Sequence, residues 1–250
     1  MIDISTVVIT LNEEANLARC LESARSISRE ILVIDSGSTD RTREIAAHYT
    51  DRVLVHAWQG YGAQKQFALD QARCAWVLSI DADEELSPEL QDEIARLDDG
   101  GDGYLLPRRV WYMGRWILHG VWYPDPVLRL FRAGRGRFTN DPVHESVQLA
   151  GHARRLRGSL RHYPYRDLAH HLAKLNAMTT LAADEMFERG RRTSWVRLAL
   201  QPPWEFIRSY VVRGGWLDGV PGLVVAALHA HYAFMKYVKL RERAMAGAAR

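Results

Sequence analysis

Cysteine is scarce in this chain, with two residues, Cys20 and Cys74, in 250. Neither lies in a CxxC, which excludes zinc knuckles and dithiol redox motifs, and both read as core thiols of a reducing compartment. A clean run of 18 apolar residues is also missing. The nearest approach, residues 219–234 ("GVPGLVVAALHAHYAF"), holds two histidines and a proline. The opening "MIDISTVVIT" has no basic segment and no room for an apolar core before a cleavage site, so no secretory signal is expected. No Gly-x-Gly-x-x-Gly follows the first apolar segment, which disfavours a dinucleotide dehydrogenase. The loop there, "LNEEANL", also lacks the glycines and basic residues with which a nucleotidyltransferase usually opens. There is no internal repeat.

Hydrophobic residues make up 47% of the chain, enough for a substantial core, so a disordered tail is excluded. The net charge of +3 conceals an asymmetry. Residues 1–100 carry 9 Lys/Arg against 19 Asp/Glu, and residues 101–250 carry 24 against 11. The acidic part suits a metal site. The basic part suits anionic partners such as phosphates, acidic lipid or nucleic acid. A basic membrane- or nucleic-acid-binding protein without catalysis would explain the second part and leave the first unexplained.

Residues 4–10, 30–34, 52–56 and 76–80 are short, β-branched or apolar and bounded by polar clusters, so they read as buried strands. Between them, Leu17, Cys20, Leu21 and Ala24 fall at helical spacing, Asp40 is placed to cap a helix over 41–48, and 63–72 reads as a third helix. Strands alternating with helices imply crossover units and a parallel sheet. Ligands bind at the C-terminal ends of such strands. The clusters Asn12-Glu13, Asp35-Ser36-Gly37 and Asp81-Ala82-Asp83 all fall at those ends. Ser87 and Pro88 begin a further helix. Strands are expected at 103–107 and 127–131, separated by a long Trp/Tyr-rich loop over Val110–Pro124, a length that usually carries function. From about Leu168 the pattern turns helical, with interruptions expected at Gly190 and at Pro202-Pro203.

The segment "SIDADEEL" sets Asp81, Asp83, Glu84 and Glu85 directly after a buried strand. Two carboxylates on one short turn suit Mg²⁺ or Mn²⁺, hard cations that keep waters and share a substrate's phosphates. The alternative is a solvated turn running into a helix N-terminus, where acids are favourable in any case. Glu84 and Glu85 fit that alternative.

Four ordered stretches, "VVITLNEEANLARCLES", "EILVIDSGSTDRT", "YGAQKQFALDQA" and "WVLSIDADEEL", together resemble family 2 glycosyltransferases over about residues 4–131. The resemblance implies the GT-A fold: an α/β, Rossmann-like, mixed and mainly parallel sheet flanked by helices, here with a C-terminal helical extension. Farther on, "DPVHES" and "GGWLDGVPGLVVAALHAHYAFMKYVKL" look like the branch that glucosylates the heptose inner core of lipopolysaccharide. That extends the resemblance over nearly the whole chain. It implies an inverting, metal-dependent hexosyltransferase acting on the cytoplasmic face of the bacterial inner membrane, with UDP-glucose as the expected donor. The expected partners are a lipid-linked glycan acceptor and an anionic membrane surface, with no nucleic acid. The expected division is a catalytic domain over 1–165, its nucleotide-binding half about 1–100 and acceptor half about 101–165, then a helical region over 166–250.

By the same resemblance, Asp35 matches the strand-end acid that accepts from the uracil N–H; otherwise it caps its own turn with Ser36. Thr10, Asn12 and Glu13 match the first nucleotide-facing loop, unless Asn12 only caps the next helix. Gly37 would let backbone approach the nucleotide. Lys65 matches a basic residue near the diphosphate, or is a solvated helix lysine. Asp81 is expected near ribose and metal, and Asp83 as the direct metal ligand. Inversion needs a base on the acceptor hydroxyl. Glu145 matches that residue, with Asp141 in reserve; otherwise Glu145 pairs with a nearby arginine. His144 orients Glu145, touches the leaving diphosphate, or is a core histidine. Either the metal with Lys65, or an arginine among Arg129, Arg132, Arg135 and Arg137, neutralises the departing UDP. Trp111, Tyr112, Trp116, Trp122 and Tyr123 form either an acceptor platform or a buried aromatic cluster. The tail, which mixes tryptophan, tyrosine and basic residues, suits an anionic membrane interface, or a helical subdomain packed on the catalytic domain or forming an oligomer contact.

Overall fold

The computed structural model describes residues 2–98, 100–139 and 146–248. Glu145, Asp141 and His144 lie outside the described residues. The chain divides into two compact units, Met1–Arg109 with Asp125–Tyr163, and Val110–Pro124 with Pro164–Arg250. The aromatic segment 110–124 thus belongs with the C-terminal helices.

The first unit opens as β1 (Ile4–Thr10), α1 (Leu17–Arg25), β2 (Glu30–Asp35), α2 (Thr42–Ala47), β3 (Val53–Val55), α3 (Tyr61–Asp70) and β4 (Trp76–Asp81). It continues through β5 (Glu84–Leu86), α4 (Pro88–Ala95) and β6 (Gly103–Tyr112), whose last residues enter the second unit. After the hairpin strand β7 (Arg115–Ile117) come β8 (Asp125–Arg132), β9 (Gly136–Phe138), β10 (Val147–Leu149), β11 (Ala153–Arg155) and β12 (Leu160–His162). The sheet order is β3-β2-β1-β4-β8-β6-β12-β5. The first four strands are parallel, and β8 joins antiparallel to β4 and to β6. The sheet is mixed, as expected, with its parallel half at the N-terminal side.

Both faces of β1, β2 and β4 are largely buried, which is why these strands read as continuous apolar runs. Ile4, Val8, Val33, Leu78 and Ile80 face α1 and α4, while Val7, Leu32, Ile34 and Val77 face α3. β2 and β4 flank β1 on opposite sides, so the strand order reverses there, the place where open α/β sheets bind ligands. In register, Thr10 stands opposite Asp35 and Ile9 opposite Asp81, which sets all three polar clusters on one edge.

Local departures from the sequence pattern have simple causes. Asp40 does not cap α2 from the N-cap position; it accepts from the Thr42 N–H (3.0 Å) and hydroxyl, so the helix begins at Thr42. Ser87 does cap α4, accepting from the Leu90 N–H at 3.2 Å, with Pro88 next. Cys20 is fully buried, but Cys74 is only half-buried.

The second unit contains α5 (Leu168–Glu188), α6 (Trp195–Ile207) and α7 (Gly219–Ala248), with a π turn over Arg208–Val212. Asp167 caps α5 through the His170 N–H at 2.7 Å, and Gly190, at φ +70°, follows its end. Pro202 and Pro203 do not interrupt α6. A proline removes its own N–H but can keep helical φ, and the Gln201–Glu205 contact at 2.8 Å spans the pair. The expected loop over 110–124 is instead a hairpin, Val110 opposite Ile117 and Tyr112 opposite Arg115, followed by a 3-10 turn. Its aromatic residues divide. Tyr112 is buried with Trp122, Tyr165 and His171, whereas Trp111 is exposed and meets Trp116 edge-on.

His171 is 4% exposed, shares a hydrogen bond with the Tyr112 hydroxyl at 2.9 Å and stacks on Tyr165. Burial, helped by Lys174 and His170, lowers its pKa from 6.5 to about 4. The folded state holds this ring neutral, while the unfolded chain protonates it below about pH 6.5. Its contribution is therefore complete above that pH and drains away as pH falls toward about 4. Between pH 7.5 and pH 5 the loss should be roughly 2 kcal/mol. Urea denaturation at the two pH values should show it, and His171→Phe should remove that share of the slope.

Candidate active site

Asp35 ends β2 with its side chain wholly buried. Its Oδ1 accepts from the Gly37 and Ser38 N–H groups at 3.0 and 2.9 Å, and its Oδ2 from the hydroxyls of Thr10 and Ser38. The carboxylate thus does cap the following turn, with Ser38 rather than Ser36, while standing at the strand end expected of a nucleotide contact. Gly37 has φ +98°, which disfavours a side chain, and open space where a Cβ would stand.

Asn12 does not cap the next helix. It sits at φ +56°, a left-handed conformation that asparagine tolerates, and its Oδ1 accepts from the Thr39 N–H at 2.9 Å. Its own N–H donates to Ser38 Oγ, and the Glu13 N–H donates to Thr42 Oγ1. Glu14 and the 40–41 turn exchange two more bonds, Glu14 N–H to Asp40 and Arg41 N–H to Glu14. The loops after β1 and β2 are therefore laced together.

Asp81 points to the α3 side of the sheet, by strand alternation with Val77 and Ser79. There Lys65, 3% exposed, donates to its Oδ1 at 2.8 Å. The solvated-helix alternative for Lys65 is thereby excluded. Arg129 from β8 donates to Oδ2 and also reaches Glu84 at 2.8 Å. Burial pushes the Asp81 carboxyl up, but Arg129 and Lys65 outweigh it and hold the group well below the usual carboxylate range. Asp83 faces His162 Nε2 at 3.3 Å.

Glu84 is a correction to the solvated-turn expectation. It is fully buried, paired with Arg129 and with Arg108 (3.3 Å), and its Oε2 accepts the Asp81 N–H at 2.9 Å. Glu85 is likewise paired, with Arg161 and the Tyr163 hydroxyl. Asp81, Glu84 and Glu85 are thus balanced by cationic side chains from β6, β8, β12 and α3. Of the four candidate arginines Arg129 is the one at Asp81; Arg132 donates to the Gly101 carbonyl, and Arg135 and Arg137 are exposed. Glu84 and Arg108 escaped sequence reasoning. The available signal was an arginine between Leu128 and Leu130 in a strand otherwise apolar, since a charge there requires a buried partner.

Among the described residues no group of three or more His, Cys, Asp or Glu gathers as a metal cage. Asp81 and Asp83 are hard oxygen donors one residue apart. That set fits Mg²⁺ or Mn²⁺ if a diphosphate and water complete the shell. Both Asp81 oxygens are engaged by Lys65 and Arg129, so Asp83 would carry more of the ion.

The model of glycosyl transferase family 2 matches residues 5–146. The chain belongs to glycosyltransferase family 2. As a family 2 glycosyltransferase it is a transferase enzyme, and its mixed sheet flanked by helices is the architecture expected above. It is 36% identical over 255 residues to the lipopolysaccharide core biosynthesis glycosyltransferase LpsC of Rhizobium meliloti, covering 96% of this chain and 92% of that one. An uncharacterised glycosyltransferase of Rickettsia typhi is 33% identical, over 96% of this chain and 87% of its own length. Among solved structures, Staphylococcus aureus TarS 1–349 in complex with UDP-GlcNAc matches with TM-score 0.49 and 18% identity, over 98% of this family 2 glycosyltransferase and 92% of that chain.

Proposed function

We propose that the protein moves a hexose, glucose from UDP-glucose in the first instance, onto a heptose or other sugar of a lipid-linked bacterial glycan of the lipopolysaccharide inner-core kind. The reaction inverts the anomeric carbon and takes place on the cytoplasmic face of the inner membrane. The observation that carries the reading is Asp81, held ionised between Lys65 and Arg129 at the switch point of the parallel strands. Family membership and the extent of the match to LpsC support it.

In the proposed step the acceptor hydroxyl oxygen bonds to the anomeric carbon while the bond from that carbon to the diphosphate oxygen breaks. The hydroxyl proton goes to a carboxylate base, Glu145, with Asp141 in reserve. UDP leaves carrying the bonding electrons. Lys65 and Arg129, already fixed and buried, face the developing charge with little reorganisation. Asp35, at the end of β2, pairs with the uracil N–H, which selects against cytosine. Bound at Asp83 and Asp81, a Mg²⁺ or Mn²⁺ ion supplies further neutralisation of the diphosphate.

A donor screen tests this. The purified protein is given Mg²⁺ or Mn²⁺, a heptose-bearing acceptor and a panel of UDP- and GDP-sugars, with nucleotide release as the readout. UDP-glucose should release nucleotide fastest and GDP-sugars should not. A GDP-sugar outpacing every UDP-sugar would overturn the donor assignment.

A further inference from the structure

Helix α6 is built inside out. Val196, Leu200, Trp204 and Ile207 occupy one stripe of roughly 80° of arc at 100° per residue, and they are 66, 64, 53 and 45% exposed. The opposite side carries the polar groups. Glu205 is turned inward, where its carboxylate accepts from Gln201 at 2.8 Å and Arg208 at 2.9 Å and meets His229 of α7 at 3.1 Å. Ser209 is fully buried and Leu198 is 7% exposed on that side. A water-facing helix has the reverse pattern. The apolar surface runs on through Val211, Val212, Trp216, Leu217 and Val220, all exposed.

Charge completes the pattern. Residues 190–223 contain two acids, Glu205 and Asp218. Asp218 is also buried, accepting the Leu118 and His119 N–H groups at 3.0 and 2.8 Å. Arg191, Arg192, Arg197 and Arg213 are exposed. The outer surface of this segment is thus apolar and cationic, with three tryptophans, at 195, 204 and 216. Tryptophan and arginine beside aliphatic side chains match the headgroup boundary of an anionic bilayer.

We infer that this face of α6 and the following turns seats in the surface of an anionic phospholipid bilayer, lying in its plane. Among the described residues no single helix is long and apolar enough to cross a membrane, although Trp195–Val212 and Gly215–Ala246, bent by 71°, pass that test as a pair. A second copy of the chain fits the same face poorly. The second unit carries 14 Lys/Arg against 7 Asp/Glu, so two such faces would repel. The inference goes beyond the transfer reaction and does not depend on the donor.

Flotation of the full chain with phosphatidylcholine vesicles, with and without phosphatidylglycerol, tests it. The protein should float with the anionic vesicles, lose binding as salt rises, and be released by alkaline carbonate. The exposed double substitution Leu200→Glu/Trp204→Glu should lower partitioning at least about tenfold, because both residues would carry charge into the boundary. Nucleotide release toward a water-soluble acceptor should be unchanged, which keeps this result separate from the donor assignment. Wild-type protein left in solution beside anionic vesicles would overturn the inference. So would undiminished flotation of the double variant, or a dimer that the variant splits while vesicle binding persists.

Discussion

Asp81→Asn should slow sugar transfer by at least about a hundredfold, on the scale of losing one preorganised electrostatic group. Asparagine keeps the shape of the side chain and loses its charge. Lys65 would lose the Asp81 anion, and Arg129, still paired with Glu84, would lose one of its two carboxylates. Asp83→Ala should cost as much, and should weaken the response to added Mg²⁺ or Mn²⁺. Nucleotide release under saturating UDP-glucose is the measurement, and a wild-type rate from either variant would sink the assignment. The pH dependence has a definite sign. The carboxyl of Asp81 is held below its ordinary value, so its ion pairs are intact above about pH 4 and fail only as pH falls below that.

Glu84→Ala should be the more damaging change to stability. Glu84 is fully buried and is a shared anion for Arg129 and Arg108. Removing one partner of such a network leaves uncompensated charge in the interior, at a cost of about 3–5 kcal/mol. It also removes the acceptor of the Asp81 N–H, so the strand end that carries the site loosens. Urea denaturation should show the loss, and Glu84→Gln, which keeps volume and an acceptor oxygen, should recover part of it. A change below about 1 kcal/mol for the alanine variant would mean that the arginines find other anions or water.

Much of the first unit was legible because its physics is local. Apolar β-branched runs bounded by polar turns mark strands whose two faces are both covered, and alternation with helices settles their parallel pairing. The polar strand ends could be aligned from that alone, and Thr10, Asp35 and Asp81 do fall on one edge. What could not be read was the partner of each charge. Arg129 and Asp81 are 48 residues apart. Nothing in the turn "SIDADEEL" says whether water, a metal or a guanidinium balances it, so Glu84 passed for a solvated acid. In the second unit the aromatic segment 110–124 misled because tryptophan and tyrosine serve a core and a surface equally well. Only the hairpin pairing separates Tyr112 from Trp111. The prolines of α6 misled for a related reason: a helix tolerates them when tertiary packing outweighs propensity.

The crosswise bonds joining Asn12 and Glu13 to Ser38, Thr39 and Thr42 have a consequence for turnover. A mouth stitched in this way has already surrendered its conformational entropy during folding, so binding of the proposed donor need not order it again. Two loops sharing their hydrogen bonds also respond as one body. Substitutions at 12 and 39 should therefore be non-additive in a double-mutant cycle, and the grip on the base should harden or slacken across both strand ends together.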